Sequence, residues 1–165
     1  MQSAPHMQDL CRRFEILAVY LFGSRADEGL RRLGGERALA RGGSDLDVGI
    51  VFRSSDFSAG SLSLIQIALE DAFDPLAIDL VPLQRVDPLL AFAAIDGHRV
   101  AVADGTAAGS FELDVMRAAA ELLPVQRRLE RDLFGVSTTR PRARSTSRSS
   151  PTVWPIWSAA WPVCA

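Results

Sequence analysis

The chain alternates short, nearly unbroken apolar runs with longer stretches whose apolar residues recur every three or four positions. Apolar runs over 17–22, 46–53, 77–82 and 99–103 read as strands, because each is short and bounded by turn residues. Residues 7–15 read as an amphipathic helix with Leu10, Phe14 and Cys11 turned inward. In 58–73, Leu62, Ile65, Leu69 and Phe73 fall near helical spacing, and Pro75 marks the break before the third strand. Residues 86–95 open with Asp87-Pro88, an N-cap followed by proline at the first helical position, and Gly97 closes that helix. The last helix is predicted over 111–134, with Phe111, Val115, Met116, Ala119, Leu122, Leu129 and Leu133 on one side and a kink at Pro124. The order of these elements is that of an α/β fold with a small mixed sheet flanked by helices.

Three strands carry chemistry at their ends. The first leads into Gly23-Ser24-Arg25, the second begins Ser44-Asp45-Leu46-Asp47, and the third holds Asp79 between Ile78 and Leu80. Side chains alternate faces along a strand, so Asp45 and Asp47 project together while Leu46, Val48, Ile50 and Phe52 take the opposite face. An acid at a strand edge is usually just solvated. Two converging carboxylates, however, repel unless a cation lies between them, and hard oxygen ligands suit Mg²⁺. With Asp79 on a neighbouring strand, three acids could hold two metal ions, the arrangement that clamps both oxygens of an in-line displacement at phosphorus. After the Gly23 turn, residues 25–33 can start a helix whose free N–H groups attract phosphate. Ser24 can donate to a terminal phosphate and Arg25 can offset its charge. Ser44 caps the turn or takes a direct part. His98, in the turn after Gly97, reads as an exposed residue without a catalytic role.

These motifs, Gly-Ser followed by Ser-Asp-Leu-Asp-Val-Gly-Ile and Ile-Asp-Leu, resemble the nucleotidyltransferase domain of the DNA polymerase beta superfamily. More narrowly, the chain is similar to the minimal nucleotidyltransferases of prokaryotes that are encoded beside HEPN-domain partners. The resemblance covers roughly residues 5–135 and includes the segment from Val86 with Gly97-His-Arg-Val-Ala-Val. It implies a polymerase-beta-like fold and transfer of AMP from Mg·ATP to a hydroxyl. Asp45, Asp47 and Asp79 would then be catalytic metal ligands for two Mg²⁺ ions, and Gly23, Ser24, Arg25 and Ser44 would bind the nucleotide. It further implies an antitoxin that adenylylates a HEPN ribonuclease toxin on a tyrosine. Two other functions fit the same residues: a non-catalytic antitoxin that masks its partner by contact alone, and a small-molecule transferase of the aminoglycoside type. The latter usually needs a further helical domain.

Two segments depart from that pattern. About twenty residues separate Ser24 from Asp45, and the glycine-punctuated stretch Gly29–Gly43 reads as a loop or extended helix beside the site. Residues 1–136 form the expected domain, and 137–165 read as a disordered or non-native tail. That tail holds four Arg, no acids and all three Trp of the chain, and its rival reading is a segment that docks on a partner.

Composition narrows the function further. Every one of the 18 basic residues is arginine. The net charge of −2 hides a domain in which 14 Arg face all 20 acids, so no general attraction for duplex nucleic acid is expected. Cys11 and Cys164 lack metal-ligand spacing and read as free thiols of a cytoplasmic protein. No signal peptide and no membrane span are expected.

Overall fold

The computed structural model of the protein describes residues 5–36 and 44–134. The second half of the glycine-punctuated insertion and the tail at 137–165 lie outside the described residues.

Four strands make one mixed sheet: β1 (Ile16–Phe22), β2 (Leu46–Phe52), β3 (Ile78–Pro82) and β4 (His98–Val102), in the order β3-β2-β1-β4. β1 runs antiparallel to both of its neighbours, and β2 runs parallel to β3. The helices are α1 (Pro5–Arg13), α2 (Ala26–Leu33), α3 (Ala59–Phe73), α4 (Pro88–Ile95) and α5 (Gly105–Phe134). The α/β expectation with a small mixed sheet is thus met, and each predicted strand exists within a residue or two.

All seven residues of β1 are buried, as the unbroken apolar run requires of an inner strand covered on both faces. On one face Val19, Leu21, Leu46, Val48 and Ile50 pack with Met7, Leu10 and Cys11 of α1 and with Ile65, Leu69 and Phe73 of α3. On the other face Leu17, Tyr20, Phe22 and Val51 meet Leu83, Ala94 of α4 and Ala108 of α5. Tyr20 is buried, so its hydroxyl needs a partner. It donates to Glu112 Oε1 at 2.6 Å, and Arg99 donates to the same oxygen at 3.0 Å, which ties β1, β4 and α5 together. Burial and the Glu112 carboxylate both push the Tyr20 phenol upward, so it stays protonated. Burial likewise raises the Cys11 thiol to about 11, which makes it an inert core side chain.

Three helix starts are closed by side chains. Ser58 accepts from the Ser61 amide at 3.0 Å, and Asp87 accepts from the Leu89 and Leu90 amides at 3.0 and 3.1 Å. Asp104 accepts from the Thr106 and Ala107 amides at 3.1 and 3.0 Å. The last of these corrects the sequence reading. α5 begins at Gly105, not Phe111, and runs on through Pro124. Gly105 and Gly109 dilute the apolar period there, while the Asp104 cap supplies the start. The apolar side of α5 is covered along only part of its length. Val115 and Ala119 are buried, but Leu122, Leu129 and Leu133 are 40%, 58% and 67% exposed. Helical spacing shows which side chains share a face, not whether a neighbour covers it. Gly29, expected in a loop or extended helix, is buried within α2 against Leu46 and Leu21.

Gly97 sits where the α4–β4 turn crosses the end of β1. A Cβ there would overlap the Leu21 carbonyl oxygen and lie 3.0 Å from Phe22 Cβ and 3.1 Å from the Ala94 oxygen. Two of these neighbours are backbone atoms, which cannot rotate away. Gly97→Ala is therefore expected to destabilise the domain by about 1–3 kcal/mol. Urea unfolding should show this as a lower midpoint at unchanged slope.

Candidate active site

The site lies where β1 ends and where β2 and β3 begin. Antiparallel pairing sets Phe22 opposite Asp47, and parallel pairing sets Asp47 opposite Asp79. One strand residue is thus flanked by the Gly23-Ser24 turn on one side and by a second acid on the other. Leu46, Val48 and Ile50 are fully buried on the opposite face, so Asp47 has no freedom to swap sides. Asp45 lies just before the strand and is exposed, Asp79 is exposed, and Asp47 is half-buried.

Gly23 has φ +73°, in the left-handed region where glycine is free to sit. The second reason for glycine is space. An added Cβ would run into Asp47 Oδ2 and lie 3.0 Å from its Cγ. The turn therefore brings bare backbone against a carboxylate. Beyond it, Ser24 Oγ and Ser44 Oγ are 2.6 Å apart, which joins the β1–α2 turn to the approach to β2.

Arg25 is held at the turn by contacts on both sides of it. Its Nε donates to Glu28 Oε2 at 2.8 Å and its guanidinium also donates to the Ser44 carbonyl at 2.9 Å. It is 11% exposed, so it fastens the first turn of α2 to Ser44 as a tether. The hydrogen bond from Arg25 holds the Glu28 carboxyl below its usual range. The other first-turn acid, Asp27, lies 2.7 Å from His98 Nε2. His98 is half-buried in this contact, not simply exposed as its turn position had indicated. Each acid in the first turn of α2 thus has a basic partner. The three-residue spacing of Arg25 and Glu28 was visible in the sequence. The pairing of Asp27 with His98, 71 residues away, had no local signal.

The Asp47 carboxyl is pushed above its ordinary range, first by burial and then by the Asp79 and Asp45 charges. Among the described residues, no three His, Cys, Asp or Glu side chains are gathered closely enough to hold a metal ion as they stand. The expected three-acid cage is therefore not closed among the described residues. The donor set itself suits a hard cation. It is all carboxylate oxygen and it borders solvent.

A family profile described as polymerase beta, nucleotidyltransferase matches residues 6–104. The chain belongs to this nucleotidyltransferase family. The matched region contains all four strands and ends where α5 begins. Among curated proteins no relative matches the chain. Among solved structures, a chain of a mutant toxin–antitoxin complex, MntA-HpeT, superposes with a TM-score of 0.59 at 15% identity, over 81% of this chain and 99% of that one. A chain of a toxin–antitoxin crystal structure with AMP-PNP gives 0.58 at 16% identity, over 81% and 99%. A chain of the complex between tri-AMPylated Shewanella oneidensis HEPN toxin and MNT antitoxin gives 0.54 at 15%, over 78% and 92%. At such identities the likeness is one of fold. Among the described residues no helix is long and apolar enough to cross a membrane.

The charge on Asp47 has a consequence for stability. Its folded pKa lies above the unfolded value, so the folded state gains protons more readily and stability falls as the pH rises through that window. Below about pH 4, the unfolded carboxyl is protonated as well and the difference vanishes. Asp47→Asn is therefore expected to raise the melting temperature at neutral pH in EDTA, with a gain that fades below about pH 4. An unchanged or lowered melting temperature at pH 7 would contradict the like-charge account.

Proposed function

We propose that this nucleotidyltransferase moves AMP from ATP to a hydroxyl of a HEPN ribonuclease toxin in the cytoplasm, and so acts as its antitoxin. The observation that carries this reading is the register of β2, which gathers Asp47, Asp79 and the Gly23-Ser24 turn at one end of the sheet. The family supplies the reaction class. The fold likeness to a structure with AMP-PNP and to one with an AMPylated HEPN toxin supports the nucleotide and the acceptor.

In this mechanism the Gly23 backbone and the Ser24 hydroxyl hold the β- and γ-phosphates, beside the start of α2. The bond between Ser24 and Ser44 preorganises that hydroxyl, and Arg25 keeps the helix start in place. Asp45 and Asp47 would hold Mg²⁺ on the nucleotide, and Asp79 would complete the ligand set on the acceptor side. When bound there, Mg²⁺ neutralises charge on the triphosphate and on the departing pyrophosphate. Asp79 takes the proton of the acceptor hydroxyl as its oxygen attacks the α-phosphorus and the bond to pyrophosphate breaks. Most of the acceleration then comes from position and charge, not from covalent chemistry.

Labelled ATP, Mg²⁺, the purified chain and the HEPN protein encoded beside it should yield label on the HEPN protein. Asp45→Ala and Asp47→Ala are each expected to lower the transfer rate at least about 10²-fold, without loss of melting temperature. Ser24→Ala should weaken Mg·ATP binding or slow transfer, and Gly23→Val should do worse by driving the turn off Asp47. A fully active Asp47→Ala protein would remove the catalytic assignment.

The segment 137–165 takes no part in this scheme. A chain ending at Val136 is expected to keep its melting temperature and its transfer rate and to gain solubility. Calorimetry and the label assay check this directly. A clear drop in either would assign the tail a place in the fold.

A further inference from the structure

The apolar face that seats α5 on the sheet does not stop where the domain stops. Ala108, Val115 and Ala119 are buried, and at 100° per residue Leu122, Leu129 and Leu133 fall within about 60° of their mean direction, with Val125 at the edge about 100° away. Those four are 40% to 67% exposed. They form a continuous seam along about 17 Å of helix, with the spacing that a second helix packs against. A helix covered only by water gains nothing from such a seam. The same register sets the charges beside it. Glu121 and Asp132 border one flank and Glu130 the other. Arg128 sits at the outer edge of the first flank, and Arg127 and Arg131 lie on the back. Neither Glu121 nor Asp132 has a basic partner among the described residues. The seam also lies beyond residue 104, outside the region that matches the family profile.

Resting on the antitoxin reading above, we infer that the second half of α5 is the face that receives the HEPN protein, through a helix whose apolar stripe is flanked by Arg or Lys. Charge decides the occupant. Flanking charges select partners in helix pairing. A second copy of this chain would bring mainly acidic flanks together, whereas a basic-flanked helix would neutralise them.

The test uses the full chain and the HEPN protein of its locus. Wild type should bind it. Leu129→Glu and the double variant Glu121→Arg/Asp132→Arg should each weaken binding about tenfold or more, while Mg·ATP raises their melting temperatures as it does for wild type. Raised salt should weaken wild-type binding more than binding by the charge-reversed variant. If wild type does not bind the HEPN protein, the antitoxin reading fails and this inference with it. If wild type binds and the variants bind equally well, only this inference fails. Loss of binding in Leu129→Glu with none in the charge-reversed variant would remove the basic-flanked helix. Concentration-dependent dimers lost in Leu129→Glu would give the face to a second copy. A red-shifted tryptophan emission in Leu129→Glu, without any partner present, would give it to the chain's own C-terminal segment. Either result would overturn the proposal.

Discussion

The register of β2 is the constraint on which the rest depends. Because strand side chains alternate, a slip of one residue would send Asp47 into the core and Leu46, Val48 and Ile50 to the other face. The burial of those three residues against α1 and α3 therefore fixes an ionisable group that contributes nothing to the core itself. Both neighbouring strands read from this one register. β1 ends opposite Asp47 and turns back at Gly23, and β3 places Asp79 beside it. The hydrophobic effect, which is not directional, positions a charged site through the period of the strand.

That site costs stability when nothing neutralises it. Asp47 is partly desolvated and faces two further carboxylates, and its raised pKa records both. The surrounding structure limits the cost in two ways. The open edge of the sheet leaves Asp45 and Asp79 in water, where their charges are screened. The acids nearest the helix start, Asp27 and Glu28, are held by His98 and Arg25. The arrangement keeps negative charge concentrated at the strand ends and offset at the α2 terminus, where phosphate would approach. Local conflict of this kind, stabilised from elsewhere in the fold, is what a functional site looks like energetically.

Much of the site was legible because its parts are local. Asp45 and Asp47 are two apart on a strand, and Gly23-Ser24 follows an apolar run directly, so period and turn chemistry locate both. The contact of Arg25 with the Ser44 carbonyl was not legible, because it depends on how the chain returns to β2. The bond between Ser24 and Ser44 joins residues 20 apart and depends on the same return.

By itself the sequence determined the strands, the capped start at Asp87, the α/β class and the residues able to carry the chemistry. Each of these follows from interactions within a few positions of the chain. The tertiary structure alone decided the order β3-β2-β1-β4, the facing of Asp47 and Asp79, the bond from Tyr20 to Glu112, and the exposure of Leu122, Leu129 and Leu133. The physical reason is common to all four. Periodicity says which residues share a face of an element, but what covers that face depends on the packing of elements distant in the chain. α5 shows the division most clearly, since one apolar stripe is core at Ala119 and surface at Leu133.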